Sequence, residues 1–176
     1  HVPAGSVRGT LMPRLYWEDL QPGSVRELGS ASLNAEEIKD FVSRSAPEPF
    51  LLEDEAGRRS LFGGLCASGW QTCGLVMRLT VDNMLKDSAS LGSPGLESLK
   101  WLKPVYPGDR LDLRHTILES RPLRKRPEVG LVRSRWELFN QDGDKVLEMD
   151  GYGFFGRRES ATAEELAGLD RGRAVG

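Results

Sequence analysis

The chain has 176 residues, enough for one domain with a substantial core. Its 24 lysines and arginines against 26 aspartates and glutamates leave a net charge of −2, which gives no general attraction to nucleic acid or anionic membrane. No 18-residue apolar run occurs, and no positively charged leader with an apolar middle and a cleavage site, so a cytoplasmic protein is the expectation. Residues 1–13 read as a disordered leader or an expression remnant, since His1–Leu11 has no periodicity. Trp17-Glu-Asp-Leu20 followed by Gln21-Pro-Gly23 reads as a turn, and Val25–Leu33 as a strand. Asn34-Ala-Glu-Glu37 has capping-box spacing and opens a helix whose apolar face is Ile38, Phe41 and Val42. Pro47 disfavours helical geometry at Ala46 and ends it. Pro47-Glu-Pro49 is then a stiff extended crossing, and Glu53-Asp-Glu55 a solvated helix start.

The stretch Leu61–Leu85 carries apolar side chains all round: Leu65, Cys66, Ala67, Trp70, Cys73, Leu75, Val76, Met77 and Leu79. A helix of that kind is buried, and this one is too short and too polar at its C-terminal end to span a bilayer. From Cys66 to Leu85 it would be a rod of roughly 30 Å. Gly63 and Gly64 set its start, and Ser68-Gly69 leaves the first turn thinly covered, where bare N–H groups can receive an anion or an oxyanion. Cys66 and Cys73 lie about 10.5 Å apart along such a helix, too far for a disulfide, and read as small buried hydrophobes. Two histidines in all exclude a histidine-rich metal site within one chain.

Beyond this rod the period changes to two. Gly95–Lys103 runs into the Pro104–Gly108 turn; Arg110–Leu118 alternates Leu111, Leu113, His115 and Ile117 with Asp112, Arg114 and Thr116. Leu131–Phe139 sets Val132, Ser134, Trp136 and Leu138 against Arg133, Arg135 and Glu137. Asn140-Gln-Asp-Gly143 is a hairpin signal, with Lys145–Phe155 returning. Residues 14–158 thus form one α+β domain in which a curled antiparallel sheet wraps a central helix, and 159–176 a charged tail.

The runs LFGGLCASGWQT, GSPGLESLKWLKPVYPGDRL, RPLRKRPEVGLV and FNQDGDKVL, in that order across Leu15–Arg158, resemble the MaoC-like dehydratases, relatives of the (R)-specific enoyl-CoA hydratases. The resemblance implies a hot-dog fold, at least a dimer, and acyl-CoA or related thioester sites near the subunit interface, with no further cofactor. Such hydratases carry an aspartate and a histidine in a D-x-x-P-x-H pattern that holds the water added across a 2-enoyl thioester. Here the run is Ala46-Pro-Glu-Pro-Phe-Leu51, with Ala46 and Leu51 at the two positions. Neither side chain can move a proton.

Three readings follow. The protein binds an acyl thioester without hydrating it, as a sensor or as a partner of a catalytic homologue in a hetero-oligomer. Or Glu48, in the same loop, and His115, on a strand, replace the lost pair. Or the chemistry has changed to thioester hydrolysis. The plain alternatives are a solvated loop carboxylate for Glu48 and a hydrogen-bonded core histidine for His115. The resemblance also carries Ser68, Gly69 and Gly64 over as the thioester-facing start of the central helix, where a backbone N–H polarises the carbonyl. Simple close packing would equally account for those glycines. By the same resemblance Arg121, Arg124 and Arg126 correspond to a loop associated with coenzyme A phosphates, with Leu123 and Lys125 at its serine positions, although a solvated hairpin would look the same. Gln71 stands where the family often has histidine and reads as a packing residue.

Overall fold

The computed structural model describes residues 13–45 and 63–159. Ala46, Glu48 and Leu51, the acidic run 53–55, most of the leader and nearly all of the tail lie outside the described residues. In chain order the elements are β1 (Val25–Ala31), α1 (Ala35–Ser45), α2 (Gly69–Asn83), β2 (Ser90–Gly92), β3 (Leu96–Trp101), β4 (Leu111–Pro122), β5 (Val129–Phe139) and β6 (Lys145–Gly156).

The three long strands are those whose sequences alternate. β4, β5 and β6 pair antiparallel, with His115 opposite Trp136 and Trp136 opposite Met149. β1 joins β4 on one side, and β2 and β3 lie one after the other along the far side of β6. Alternation becomes burial on one face: Leu111, Leu113, Ile117, Val132, Leu138 and Leu147 are fully buried. The β5–β6 turn closes as its residues require. Asn140 Oδ1 accepts from the N–H groups of Asp142 and Asp144, and Gly143 takes φ +78°. The capping box at α1 also forms, Glu37 N–H donating to Asn34 Oδ1 at 2.8 Å and Asn34 N–H to Glu37 Oε1 at 3.3 Å.

The curled sheet packs against α2 in a hot-dog arrangement, but two expectations about the rod change. Its helix begins at Gly69, three residues later than the expected start at Cys66, with Ser68 as N-cap, so Cys66 precedes the helix instead of sharing a face with Cys73. Nor is it buried on all sides. Thr72, Val76, Leu79 and Thr80 meet the core, whereas Trp70 is 64% exposed, Met77 49% and Val81 37%. One curled sheet has one concave face, and within a single chain the opposite side of α2 faces solvent. Full burial of Val76 and Leu79 contributes roughly 2 kcal/mol each.

Both ends of α2 are tied. At its C-terminal end Asn83 Nδ2 donates to Leu28 O at 2.7 Å and Leu79 O at 3.0 Å, pinning the bulge of β1. Gly29 sits there at φ +91°, and a methyl group on it would stand 3.2 Å from Asn83 Nδ2. The strap before β1 crosses the same end. Leu15 N–H bonds Asp87 O, Trp17 lies over Gly130, and Arg157 stacks on Trp17 at 4.5 Å.

Candidate functional site

At the start of α2 the chain turns from extended to helical at Ser68 (φ −60°, ψ 140°), whose Oγ accepts from Trp70 N–H at 3.3 Å. The preceding residue is anchored to the Pro104–Gly108 turn, Ala67 N–H donating to Val105 O at 2.8 Å. Ser68 is 8% exposed, and Thr72 Oγ1 returns a bond to its carbonyl at 3.3 Å. Gly69 has a partner that sequence spacing does not reveal. The indole of Trp101, at the end of β3, donates from Nε1 to Gly69 O at 3.1 Å. A methyl group on Gly69 would stand 2.6 Å from that same Nε1, inside the ring. Trp70 meets Trp101 edge-on at 5.2 Å. Close packing therefore requires glycine at 69, whereas Gly64 has nothing within 4 Å of where its Cβ would be. Half-buried Cys73 also contacts Trp101; burial pushes its thiol up, and the indole partly offsets this.

Gln71 faces α1. Its Nε2 donates to Glu37 O at 3.1 Å, and its buried Oε1 has no partner. A cleft of about 330 Å³ opens there, lined by Glu37, Asp40, Phe41, Arg44, Ser45 and Gln71. Its carboxylates are engaged elsewhere: Glu37 caps its own helix, and Arg44 beside Asp40 holds that carboxyl below the usual aspartate range. Ser45, the last residue of the lining in chain order on α1, is the last described residue before position 63.

His115 is 1% exposed on the inner face of β4, with Nδ1 unpartnered and the Trp136 ring 5.2 Å away. Burial, and secondarily the Arg26 guanidinium, push its pKa down to about 4. It is a neutral imidazole at pH 7, enclosed in the core of the single chain. Arg124, Lys125 and Arg126 are exposed on the β4–β5 hairpin, Arg126 pairing with Glu128 at 2.6 Å, and Arg121 is exposed at the end of β4. Trp101, at the α2 start, pairs with Leu147, while Gly130, at the hairpin, pairs with Phe155. Those positions on β6 are eight residues apart, about 26 Å of strand. Within one chain the hairpin lies at the opposite end of α2 from Ser68 and Gly69.

The MaoC like domain family model matches residues 49–135. A MaoC-like dehydratase structure from Rhodospirillum rubrum is 34% identical, covers 82% of this chain and 99% of its own, and superposes with a TM-score of 0.74. The chain belongs to the MaoC-like dehydratase family. The uncharacterized protein YdeM of Bacillus subtilis is 26% identical over 126 residues, 72% of this chain and 88% of its own. The (R)-hydratase PhaJ1 of Pseudomonas aeruginosa, at 21% identity, shares the fold with a TM-score of 0.66 over 84% of this chain and 89% of its own.

For this MaoC-like protein, the geometry divides the sequence-derived residues into groups. Ser68 and Gly69 share the α2 start; His115 belongs to the core; the arginines occupy the far hairpin; Glu48 lies outside the described residues. Among the described residues no cluster of three or more His, Cys, Asp or Glu could hold a metal. No described helix is long and apolar enough to cross a membrane. Trp101 is the site residue that sequence reasoning misses. Its only signal is an aromatic three positions before Pro104, and nothing local connects it to a glycine 32 residues earlier.

Proposed function

We propose that this MaoC-like protein binds an acyl thioester of the coenzyme A type in a site formed between two copies. The thioester carbonyl lies at the α2 start of one copy, and the phosphates at the Arg121–Arg126 hairpin of the other. The observation that carries this reading is the separation of the α2 start and the hairpin within one chain, eight residues of β6 or about 26 Å of strand. Two copies related by a two-fold axis across α2 bring the hairpin end of one beside the Ser68 end of the other. The exposed stripe Trp70, Gly74, Met77, Val81 supports such a face, since the glycine lets helices approach and the other three are apolar.

For chemistry, the N–H groups of the first helical turn favour charge developing on a carbonyl oxygen. Hydration further needs a group that takes a proton from water and one that returns a proton to the α carbon. Glu37 and Asp40 are committed to a cap and an ion pair, and His115 to the core. Thioester binding is therefore the primary reading, with Glu48 the one candidate for proton transfer that remains from the loop.

The test is direct. Purified protein is mixed with crotonyl-CoA and a longer 2-enoyl-CoA while the enoyl absorbance is followed, and with saturated acyl-CoA while free thiol is measured. The expected result is a raised melting temperature with each acyl-CoA and little turnover. Rapid loss of the enoyl signal, abolished by Glu48→Gln, would replace the binding reading with hydration. Thiol release would replace it with hydrolysis. No thermal shift with any acyl-CoA ends the ligand proposal.

A further inference from the structure

We infer that Trp101 is a positioning residue of this site: its indole fixes the Gly69 peptide, holding the first turn of α2 in register with the sheet edge. The inference rests on the thioester reading above for its functional meaning, but its geometry stands independently.

Within one chain Trp101 is 47% exposed at the end of an edge strand. Three directed contacts hold it nonetheless. Its N–H bonds Gly69 O, its ring fills the space where a side chain at 69 would go, and it meets the Trp70 ring in a T-shaped contact. Its own backbone is fixed by pairing with Leu147. The indole therefore carries the position of β6 across to the first peptide of the helix. Gly69 O is also the acceptor for Cys73 N–H, four residues on, in the α-helical pattern, so the indole is a second donor on that carbonyl. Two donors on one carbonyl leave the Gly69–Trp70 peptide plane little freedom, and the neighbouring Ser68–Gly69 N–H is held at a fixed angle to an incoming carbonyl. A displacement of about 1 Å in such a donor weakens an oriented contact appreciably.

The test uses the whole protein and Trp101→Phe, which keeps a ring and removes the donor. Amide exchange by NMR is read at Thr72 and Cys73, the first amides bonded within the helix, and at Val76 and Leu79 as internal controls. Calorimetry gives the Kd for crotonyl-CoA, and thermal unfolding reports the fold. The expected result is faster exchange at Thr72 and Cys73 with Val76 and Leu79 unchanged, and affinity lower by about fivefold, the equivalent of one hydrogen bond, at nearly constant Tm. Gly69→Ala should unfold more easily, and adding Trp101→Ala should restore Tm without restoring affinity. Wild-type exchange at Thr72 and Cys73 in Trp101→Phe overturns the inference, as does an unchanged Kd. If wild-type protein binds no crotonyl-CoA, the thioester reading falls, and the exchange rates alone decide whether Trp101 holds the turn.

Discussion

Between pH 7.5 and pH 5, loss of stability should be concentrated at one residue. His115 is buried on the inner face of β4 with an unpartnered Nδ1, and its pKa is pushed down to about 4 from an ordinary 6.5. The unfolded chain therefore takes up a proton as pH falls through 6.5, while the folded chain resists until near 4. Stability from keeping this imidazole neutral is complete above pH 6.5 and is lost between 6.5 and 4. The full difference corresponds to about 3 kcal/mol, of which about 2 kcal/mol is lost between pH 7.5 and pH 5. The carboxyls of Glu18, Asp19 and Asp40 are held below their ordinary values, so their own losses come at lower pH and stay outside this window. Urea unfolding of the wild type and His115→Leu at pH 7.5, 6 and 5 isolates the effect, because His1 is common to both. The wild type should lose about 2 kcal/mol more than the variant over that range. Parallel losses in the two proteins, or an imidazole resonance of His115 titrating near 6.5, would refute the reasoning.

Asn83→Ala removes both bonds from Nδ2 and should cost about 1–2 kcal/mol, read as a lower urea midpoint with an unchanged slope. Trp17→Ala should cost about 3 kcal/mol of stability, read as a lower urea midpoint, since it strips the ring from over Gly130 and removes the face on which Arg157 stacks. Met77→Glu places a charge on the exposed stripe of α2 and should give a species of one chain's mass in sedimentation, with the far-UV spectrum unchanged. The double change Arg124→Glu and Arg126→Glu should weaken coenzyme A thioesters about tenfold or more while sparing short thioesters that lack the nucleotide phosphates, measured by calorimetry. Mixing that variant with one altered at the α2 start should regain part of the binding if the site is shared between copies.

Much of the fold is determined by the sequence alone because its causes are local. Alternation in β4 and β5 puts Leu111, Leu113, Ile117, Val132 and Leu138 on one face whatever lies opposite them. Asn34 and Glu37 reach each other over three residues, and Asn140–Gly143 closes on itself. The resemblance of the motifs likewise depends on order and spacing. Three other features were decided only by the tertiary structure. A run of apolar residues around α2 cannot tell which side the sheet will cover, so the exposure of Trp70, Met77 and Val81 follows from the sheet having a single concave face. Gly69 could be glycine for the ligand or for packing, and only the register of β3 on β6 brings Trp101 onto it. The basic hairpin and the α2 start both look like parts of a thioester site when read in line. Strand order sends them to opposite ends of the same helix, because strand pairing is set by contacts between residues tens of positions apart, which no local pattern encodes.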